Sequence, residues 1–379
     1  MTENKIQKMH FRLYEYVIYW LVTAVLLILA VPLLIFKFCR YLVVSTGAPL
    51  KSASHLVGFV LVLIIIAAGF VTYKIFIPYP IGPEVKSITV QDKERFSQVI
   101  GDLKEAGILH DVSLFRRLTV MSGLDRSVAP GRYDFSGRVS LYSIISKFRN
   151  RNIATIDLTV PEGLPVYKTA SILAGALGID SAAFYHRVFD SVYTAGRYGL
   201  NGLEGYLFPE TYRFWYGIKI DQIIDIMVEE FYRHTDSILA PPFPNNLSAE
   251  KIVTLASIVE AEATDPDEMG RVASVYHNRL RDRMMLQADP TVIYALGGLD
   301  RPLNRRDIRV TDSPYNTYKH YGLPPGPINS PGRQAITAAV RPDSSGYYYF
   351  VADGTGRHIF SRTLREHNRA RERVKRARL

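Results

Sequence analysis

The stretch Ile252-Val-Thr-Leu-Ala-Ser-Ile-Val-Glu-Ala-Glu262 decides the fold of the surrounding region, because its apolar residues recur with the spacing of an α-helix. They form a single stripe of Ile252, Leu255, Ala256 and Val259. At about 100° per residue, Glu260 falls roughly 80° to one side of Ile252 and Glu262 roughly 80° to the other. Both carboxylates border the apolar face, where burial would raise their pKa. Periodicity alone leaves open whether either acid is half-buried or both are solvated at the edge of the helix.

Helical patterns also dominate the sequence on both sides of this stretch. The predicted helices are Val166 to Leu177, Ser181 to Asp190, Ile220 to Ile238, Ala249 to Ala263, Gly270 to Arg281, Pro290 to Ala295 and Gly332 to Val340. The long segment from Leu296 to Pro331 is rich in Pro, Asn, Gly and Tyr, and loops of this length in compact domains are usually functional. Near the end, Tyr347–Val351 and His358–Phe360 flank a Gly-rich turn and predict a β-hairpin. Residues 161–379 are therefore predicted to form a larger, mostly helical domain.

Residues 85–160 are predicted to form a smaller α+β domain. Its elements are a strand at Lys86 to Val90, helices at Arg95 to Ala106, Leu114 to Met121 and Leu141 to Phe148, and a strand at Thr155 to Val160. This pattern contains no acid/base cluster, which favours a binding or spacing domain over an enzyme. The prolines of Ile77–Pro83, just before it, prevent helix continuation and predict a stiff spacer.

Residues 1–77 are predicted to anchor the chain in a membrane. Tyr16 to Phe36 is a run of about 21 uncharged residues and Leu56 to Tyr73 a run of about 18, lengths that reach across a bilayer. We place the spans at about 16–36 and 56–76. The runs are too long for a cleaved signal peptide and lack a small-residue cleavage pattern. The basic loop between them predicts a cytoplasmic loop with everything after Lys74 outside, whereas the basic N-terminal arm argues partly for the opposite.

Composition and missing signatures exclude several classes of protein. The 379 residues are 47% hydrophobic and 22% charged, which supplies a large core and excludes a disordered chain. With one cysteine, Cys39, the sequence allows no internal disulfide and no cysteine-rich metal site. Half of the net charge of +10 lies in the tail from Arg369 to Leu379, which is weak evidence for nucleic acid. The sequence lacks the metalloprotease, serine-hydrolase and P-loop signatures, so no metal, cofactor or nucleic acid is expected.

The larger domain contains a series of ordered motifs. They are Leu203-Glu-Gly-Tyr-Leu-Phe-Pro-Glu-Thr-Tyr212, Leu255-Ala-Ser-Ile-Val-Glu-Ala-Glu262, Val272-Ala-Ser-Val-Tyr-His-Asn-Arg-Leu280, Leu286-Gln-Ala-Asp-Pro-Thr-Val-Ile-Tyr294, Tyr315-Asn-Thr-Tyr318, Gly322-Leu-Pro-Pro-Gly326 and Tyr349-Phe-Val-Ala-Asp-Gly354. Together they resemble the YceG-like family of endolytic murein transglycosylases (MltG), over about Val85 to Asn368. The resemblance implies a LysM-like domain at 85–160 and a catalytic domain at 161–379. The family usually has one membrane helix, corresponding to Leu56–Tyr73, so the additional apolar run is a departure.

The resemblance also implies the chemistry of a lytic transglycosylase, with Glu260 as the catalytic acid/base. A protonated carboxylic acid would donate to the leaving oxygen of the β-1,4 bond between N-acetylmuramic acid and N-acetylglucosamine, which requires a raised pKa. The muramyl C6 hydroxyl would then close on C1 and leave a 1,6-anhydro end. The implied partners are peptidoglycan glycan strands, the membrane and peptidoglycan synthases. The catalytic domain would lie on the outer or periplasmic side of the bacterial inner membrane and terminate the elongation of nascent glycan strands.

Further motif positions are implied to bind the sugar: Glu210, Gln287, Asp289, Asn316 and Tyr318. Amides, hydroxyls and aromatic faces suit sugar recognition. Each position also has a structural explanation, since Asp289 could cap the helix that begins at Pro290 and Tyr318 could pack within its loop.

Two other functions stay open at the level of sequence. A non-catalytic peptidoglycan-binding scaffold would keep the sugar groove without depending on Glu260. A muramidase, which is a hydrolase, would pair Glu260 with a second carboxylate, Glu210 or Asp289, and would release reducing ends.

Overall fold

The computed structural model describes Lys37 and residues 50–126 and 128–377, so the predicted span at 16–36 lies outside the described residues. The fold is α+β, as predicted, and mostly helical with small two-stranded sheets. The chain divides into two compact units. The first extends to Ser87 and includes Arg95–Val128 and Phe135–Arg151; the second combines Ile88–Glu94, Ala129–Asp134 and the chain from Asn152 to the C-terminus.

The first unit begins with a long helix and continues with shorter ones. The elements from the N-terminus are α1 (Leu50–Phe76), β1 (Tyr79–Val90), α2 (Phe96–Glu105), α3 (Val112–Met121), β2 (Gly131–Val139) and α4 (Leu141–Arg149), and β1 pairs with β2. The end of β1 (residues 88–90) and the start of β2 (residues 131–134) belong to the second unit. Helix α1 contains the predicted span at 56–76. In the part of the chain that the structure describes, no helix meets the length and apolarity that a membrane crossing requires. The three helices of the predicted α+β domain are found, whereas the strand β2 was not predicted.

The second unit contains the remaining elements. They are β3 (Thr155–Thr159), α5 (Val166–Leu177), α6 (Ser181–Val188), α7 (Ser191–Tyr198), β4 (Thr211–Trp215), α8 (Ile220–Thr235), α9 (Ala249–Glu262), α10 (Pro266–Arg281), α11 (Asp289–Ala295), α12 (Arg305–Val310), α13 (Arg333–Val340), β5 (Tyr349–Ala352), β6 (His358–Ser361) and α14 (Leu364–Ala377). The predicted hairpin is confirmed, because β5 and β6 pair antiparallel with Tyr349 opposite Ser361.

Strand β3 pairs with a strand that the sequence did not predict. It runs antiparallel to β4, with Thr155 opposite Trp215 and Thr159 opposite Thr211. The sequence pattern alone assigns the strand at Thr155 to Val160 to the smaller α+β domain. In the structure this strand forms its sheet with β4 and belongs to the second unit.

Helix α9 is the central element of the second unit. It begins at Ser248, whose side chain accepts a hydrogen bond from the Lys251 N–H and so caps the helix. Every residue from Ile252 to Val259 is buried, and the helix packs against α10, α11 and α13. A helical segment that is buried on every face is expected only inside a core. The last turn of α9, which carries the two glutamates, emerges from this core.

Candidate active site

Glu260 lies on the last turn of α9 and points toward the start of α13. Its side chain is half-buried, and its Oε2 accepts a hydrogen bond of 2.9 Å from the backbone N–H of Gly332, the residue that precedes α13. Burial raises the pKa of Glu260 above its usual range, and the Gly332 hydrogen bond opposes this rise. The core thus holds one carboxyl group in a setting that favours its protonated form.

The turn Pro161–Pro165 forms another side of the site. Gly163 has a φ of +73°, and a Cβ at this position would lie 3.5 Å from Cγ of Glu260. The positive φ favours glycine, because other residues adopt this conformation at a cost. The distance is that of an ordinary van der Waals contact, so the turn lies directly beside the Glu260 side chain.

Glu162, in the same turn, brings a second carboxylate to Glu260. Its side chain is exposed, and a Cβ placed on Gly332 would overlap its carboxylate oxygens. The negative charge of Glu162 adds to the raised pKa of Glu260. Because only the backbone of Gly332 separates the two groups, their carboxylate oxygens approach within roughly 7 Å.

Backbone hydrogen bonds connect this turn to the segment before α13. The Gly163 N–H donates to the carbonyl of Ser330 over 2.9 Å, and the Ser330 N–H donates to the carbonyl of Leu164 over 3.0 Å. The pair is a single antiparallel bridge. It fixes the position of Glu162 relative to Gly332.

Ser257 holds the same segment from the side of α9, one turn before Glu260. Its hydroxyl accepts a hydrogen bond from the Ile328 N–H at 3.0 Å, and its carbonyl accepts one from the Asn329 side-chain amide at 2.8 Å. Asn329 Oδ1 and Ser330 Oγ are buried and form no hydrogen bond with any described residue. Unsatisfied polar atoms of this kind are uncommon in native proteins. Both residues belong to the segment that leads to Gly332, whose N–H is bonded to Glu260.

Glu262 lies in a different cluster from Glu260, although only one residue separates them. Its Oε1 accepts a hydrogen bond of 3.0 Å from the Tyr276 hydroxyl. Burial raises the pKa of Glu262 to about 7; Tyr276 and Arg279 oppose the rise, and Asp289 adds to it. The sequence left open whether one acid, both or neither was half-buried. In the structure both are.

Among the predicted sugar-binding residues, Asp289 and Tyr318 are brought together. The Tyr318 hydroxyl donates to Asp289 Oδ1 over 2.5 Å, and Asp289 is exposed at the first residue of α11. Gln287 is also exposed and has a φ of +46°. Asp289 and Tyr318 lie on the Glu262 side of the last turn of α9, close enough to interact electrostatically with Glu262.

Asn316 is placed differently from the prediction. It is fully buried, and its side-chain amide donates to the carbonyls of Ile308 and Thr311 while its Oδ1 accepts from the Tyr318 N–H. All of these bonds are to backbone groups, so the side chain shapes the loop that carries Tyr318 and does not face a groove.

Glu210 also lies in a separate group. Its Oε1 accepts from the Thr211 N–H, and its carboxylate lies within 4.8 Å of ligand atoms of Glu230 and His234. Glu230 is already paired with Arg233. Besides burial, the groups that shift the pKa of Glu260 are Gly332 and Glu162. Neither Glu210 nor Asp289 contributes to this shift.

Sequence reasoning missed Glu162, Gly332 and Glu204. Glu204 is buried, accepts hydrogen bonds from the Val166 N–H and the Tyr294 hydroxyl, and has a pKa raised by burial to about 8. Glu204 lies in the motif Leu203 to Tyr212, but no periodic pattern of the sequence marks it. An acid next to glycine, as in Glu162–Gly163, was the available signal for the turn.

Comparison with known proteins gives a consistent result. Residues 88–373 match the YceG-like family. An endolytic murein transglycosylase of Bacillus subtilis (strain 168) is 32% identical over 303 residues, which cover 76% of this chain and 84% of that protein. An endolytic murein transglycosylase of Streptococcus pneumoniae (strain D39) is 31% identical over 245 residues, and these residues cover 56% of this chain but only 43% of that longer protein.

The fold also resembles a solved structure. The crystal structure of a YceG-like protein from Listeria monocytogenes matches with a TM-score of 0.51 and 30% identity, covering 76% of this chain and 98% of that one. The family match extends over well more than half of the chain, and the Bacillus subtilis relative is matched along most of its length. The chain therefore belongs to the YceG-like family.

Proposed function

We propose that this protein is an endolytic lytic transglycosylase that cleaves the β-1,4 bond between N-acetylmuramic acid and N-acetylglucosamine within peptidoglycan strands. The observation that carries the proposal is Glu260, a half-buried carboxyl group with a raised pKa at the end of a core helix. The relatives named endolytic murein transglycosylases support the same activity.

The reaction needs one group that acts first as an acid and then as a base. Protonated Glu260 donates its proton to the leaving O4 of N-acetylglucosamine as the bond from C1 of the muramyl residue breaks. The resulting Glu260 carboxylate takes the proton of the muramyl C6 hydroxyl as O6 bonds to C1. Glu260 ends in its starting state, and no water is consumed. The internal hydroxyl competes with water because it is held near C1.

The Gly332 N–H assists this exchange of roles. Glu260 Oε2 is the acceptor of that hydrogen bond, so Oε1 is the oxygen left to carry and transfer the proton. Hydrogen-bond donation to the carboxylate stabilises it after the proton has left. Activity is expected to fall as the pH rises through the pKa of Glu260, since the acid must be protonated to start the reaction.

A muramidase is the second candidate, and Glu162 is the observation that favours it. Hydrolases place two carboxyl groups about 5 to 10 Å apart, so that the second can act as a nucleophile or activate water. The carboxylate oxygens of Glu162 lie within roughly 7 Å of those of Glu260, below the upper limit of this range. The structure thus offers a different second carboxylate from Glu210 or Asp289, which the sequence suggested.

Analysis of the products distinguishes the two activities. Purified protein incubated with uncrosslinked glycan strands should release fragments that end in 1,6-anhydro-N-acetylmuramic acid. Mass spectrometry detects these ends as 18 Da lighter than hydrolysed ends, roughly the mass of the water that hydrolysis would add. Fragments of many lengths at early times would show internal cleavage. Reducing muramyl ends as the main product would favour the muramidase.

The finer parts of the proposal concern location and partners. The uncharged runs of the first 77 residues support anchoring in the cytoplasmic membrane, with the second unit on the outer or periplasmic side, where peptidoglycan lies. The first unit lacks a cluster of catalytic acids, which supports a LysM-like, glycan-binding or spacing role. Cleavage beside the membrane would terminate the elongation of nascent strands and would place the protein near peptidoglycan synthases.

A further inference from the structure

The one-acid reaction leaves the carboxylate of Glu162 without a role. Glu162 is exposed, yet it takes part in none of the ion pairs formed among residues 50–126 and 128–377. An exposed acid usually turns toward water, away from another acid, because like charges repel. Here the side chain rests against the backbone of Gly332, whose N–H is bonded to Glu260.

The fold fixes this arrangement from both sides. The bridge between Leu164 and Ser330 holds the turn of Glu162 against the segment that leads to Gly332. Gly163, with a φ of +73°, lets the chain turn beside the Glu260 side chain, where a Cβ would lie in van der Waals contact with Glu260 Cγ at 3.5 Å. The backbone thus places residue 162 beside Gly332, and the Glu162 side chain brings its carboxylate against that glycine.

We propose that Glu162 is a positioning residue that acts through Glu260: its negative charge keeps Glu260 protonated before bond cleavage and makes it a stronger base afterwards. This inference rests on the proposed function. When Glu260 has given up its proton, two negative charges face each other across Gly332, and uptake of the proton from the C6 hydroxyl relieves the repulsion. No additional reactant is required, because the proton that leaves Glu260 is replaced by the one from the substrate.

Other charges around Glu260 do not account for the same effect. The α13 side contributes the Gly332 N–H, which favours the carboxylate and so acts in the opposite direction. The core side contributes burial, which disfavours the carboxylate. Among the described residues, Glu162 is the ionisable side chain whose charge raises the pKa of Glu260.

The test compares the pH–rate profiles of the full-length protein and of Glu162→Gln, with release of 1,6-anhydro ends as the readout. Gln keeps the size of the side chain and removes its charge. The alkaline limb should move to lower pH by about 0.5 to 1 unit, because Glu260 loses its proton more readily without the neighbouring charge. The products should remain 1,6-anhydro ends. Glu162→Asp, which keeps the charge on a shorter side chain, should restore most of the alkaline limb.

The matched control is Glu229→Gln, which removes the same charge from an exposed position on α8 and should leave the profile unchanged. Thermal melts should show that the variants are folded.

An alkaline limb that stays in place in folded Glu162→Gln would overturn the inference. Selective loss of reducing ends in Glu162→Gln would also overturn it, since Glu162 would then be the base of a hydrolase. Glu260→Gln in the same assay separates the two proposals. A fully active Glu260→Gln variant would reject the proposed function itself. An inactive Glu260→Gln variant together with an unshifted pH–rate profile of Glu162→Gln would reject only this inference.

Discussion

The two glutamates at the end of α9 show how much one residue's neighbours determine its chemistry. Glu260 and Glu262 are both half-buried, and burial raises the pKa of each. Glu260 faces a backbone N–H that can stabilise its carboxylate, whereas Glu262 is bonded to the Tyr276 hydroxyl. The helical pattern placed both acids at the edge of the apolar face. It could not distinguish them, because Gly332 lies 72 residues further along the chain.

Replacing Glu260 by Gln should abolish most of the activity. Gln keeps the shape of the side chain but has no proton to transfer, and general acid/base catalysis contributes about 10² to 10⁴-fold. Among the described residues, no other carboxyl group accepts a hydrogen bond from the Gly332 N–H. The loss of activity should therefore lie toward the larger end of this range. The measurement is the initial rate of anhydro-end formation. Thermal stability should be unchanged or higher, because a half-buried ionisable group is removed.

Glu262→Gln is the matched control on the same helix turn. Its amide oxygen can still accept the hydrogen bond from Tyr276, so most of the activity should remain. Equal losses in the two variants would contradict the assignment of Glu260 as the acid/base.

At the level of secondary-structure elements, the sequence predicted the strongly periodic helices well. The helix at Val166–Leu177 was predicted with both of its ends, and α9 within one residue. Helices α7, α12 and α14 and strands β2 and β4 were missed, and α12 lies in the segment predicted as a long loop. Helix α7 has only 8 residues and a largely polar sequence. Strand β4 becomes a strand through its pairing with β3, which is distant in sequence and leaves no local signal.

Glu204 connects two of these elements and predicts a pH dependence of stability. It accepts from the first N–H of α5 at Val166 and from Tyr294 of α11. Its pKa is about 8 in the folded protein, above its ordinary value of 4.5. Between these two pKa values the folded state therefore binds more protons than the unfolded state. The contribution of Glu204 to the free energy of unfolding falls as the pH rises and is lost once the pH has passed about 8.

The test is urea unfolding of the wild type and Glu204→Gln at pH 6 and pH 9. The free energy of unfolding of Glu204→Gln, relative to that of the wild type, should be roughly 1 to 3 kcal/mol higher at pH 9 than at pH 6, because the neutral amide does not ionise. Glu204→Ala should be less stable than Glu204→Gln by about 1 to 3 kcal/mol at both pH values, since the buried N–H of Val166 would have no acceptor. A constant difference between wild type and Glu204→Gln would mean that Glu204 is already ionised at pH 6.

At the scale of the whole molecule, the orientation of the chain in the membrane is a prediction from charge. The loop between the two apolar runs is basic and contains no acid, which favours the cytoplasm. Reporter fusions after Ser45 and after Ile81 should therefore report a cytoplasmic and an external position, respectively. An external signal at Ser45 would leave a single span and would place the N-terminus inside.

The division of labour between the two units can be tested by truncation. Every group that we assign to the reaction, including Glu260, Glu162 and Gly332, lies in the part of the second unit that begins at Asn152. A fragment that begins near Thr159 would lose most of β3 and its pairing with β4. A fragment of residues 152–379 keeps this sheet. It still lacks Ala129–Asp134, whose Arg132 carbonyl accepts a hydrogen bond from the Ala154 N–H, so it should be less stable than the full chain.

We expect the fragment of residues 152–379 to cut glycan strands more slowly than the full-length protein but to give the same 1,6-anhydro ends. The rate should fall because the unit for which we propose a glycan-binding or spacing role has been removed, whereas the products depend on Glu260 and the substrate's own C6 hydroxyl. Circular dichroism and a cooperative melt would establish that the fragment is folded. The same fragment with Glu260→Gln is the control for contaminating activity. Complete inactivity of the folded fragment would show that residues before Asn152 help to build the active site.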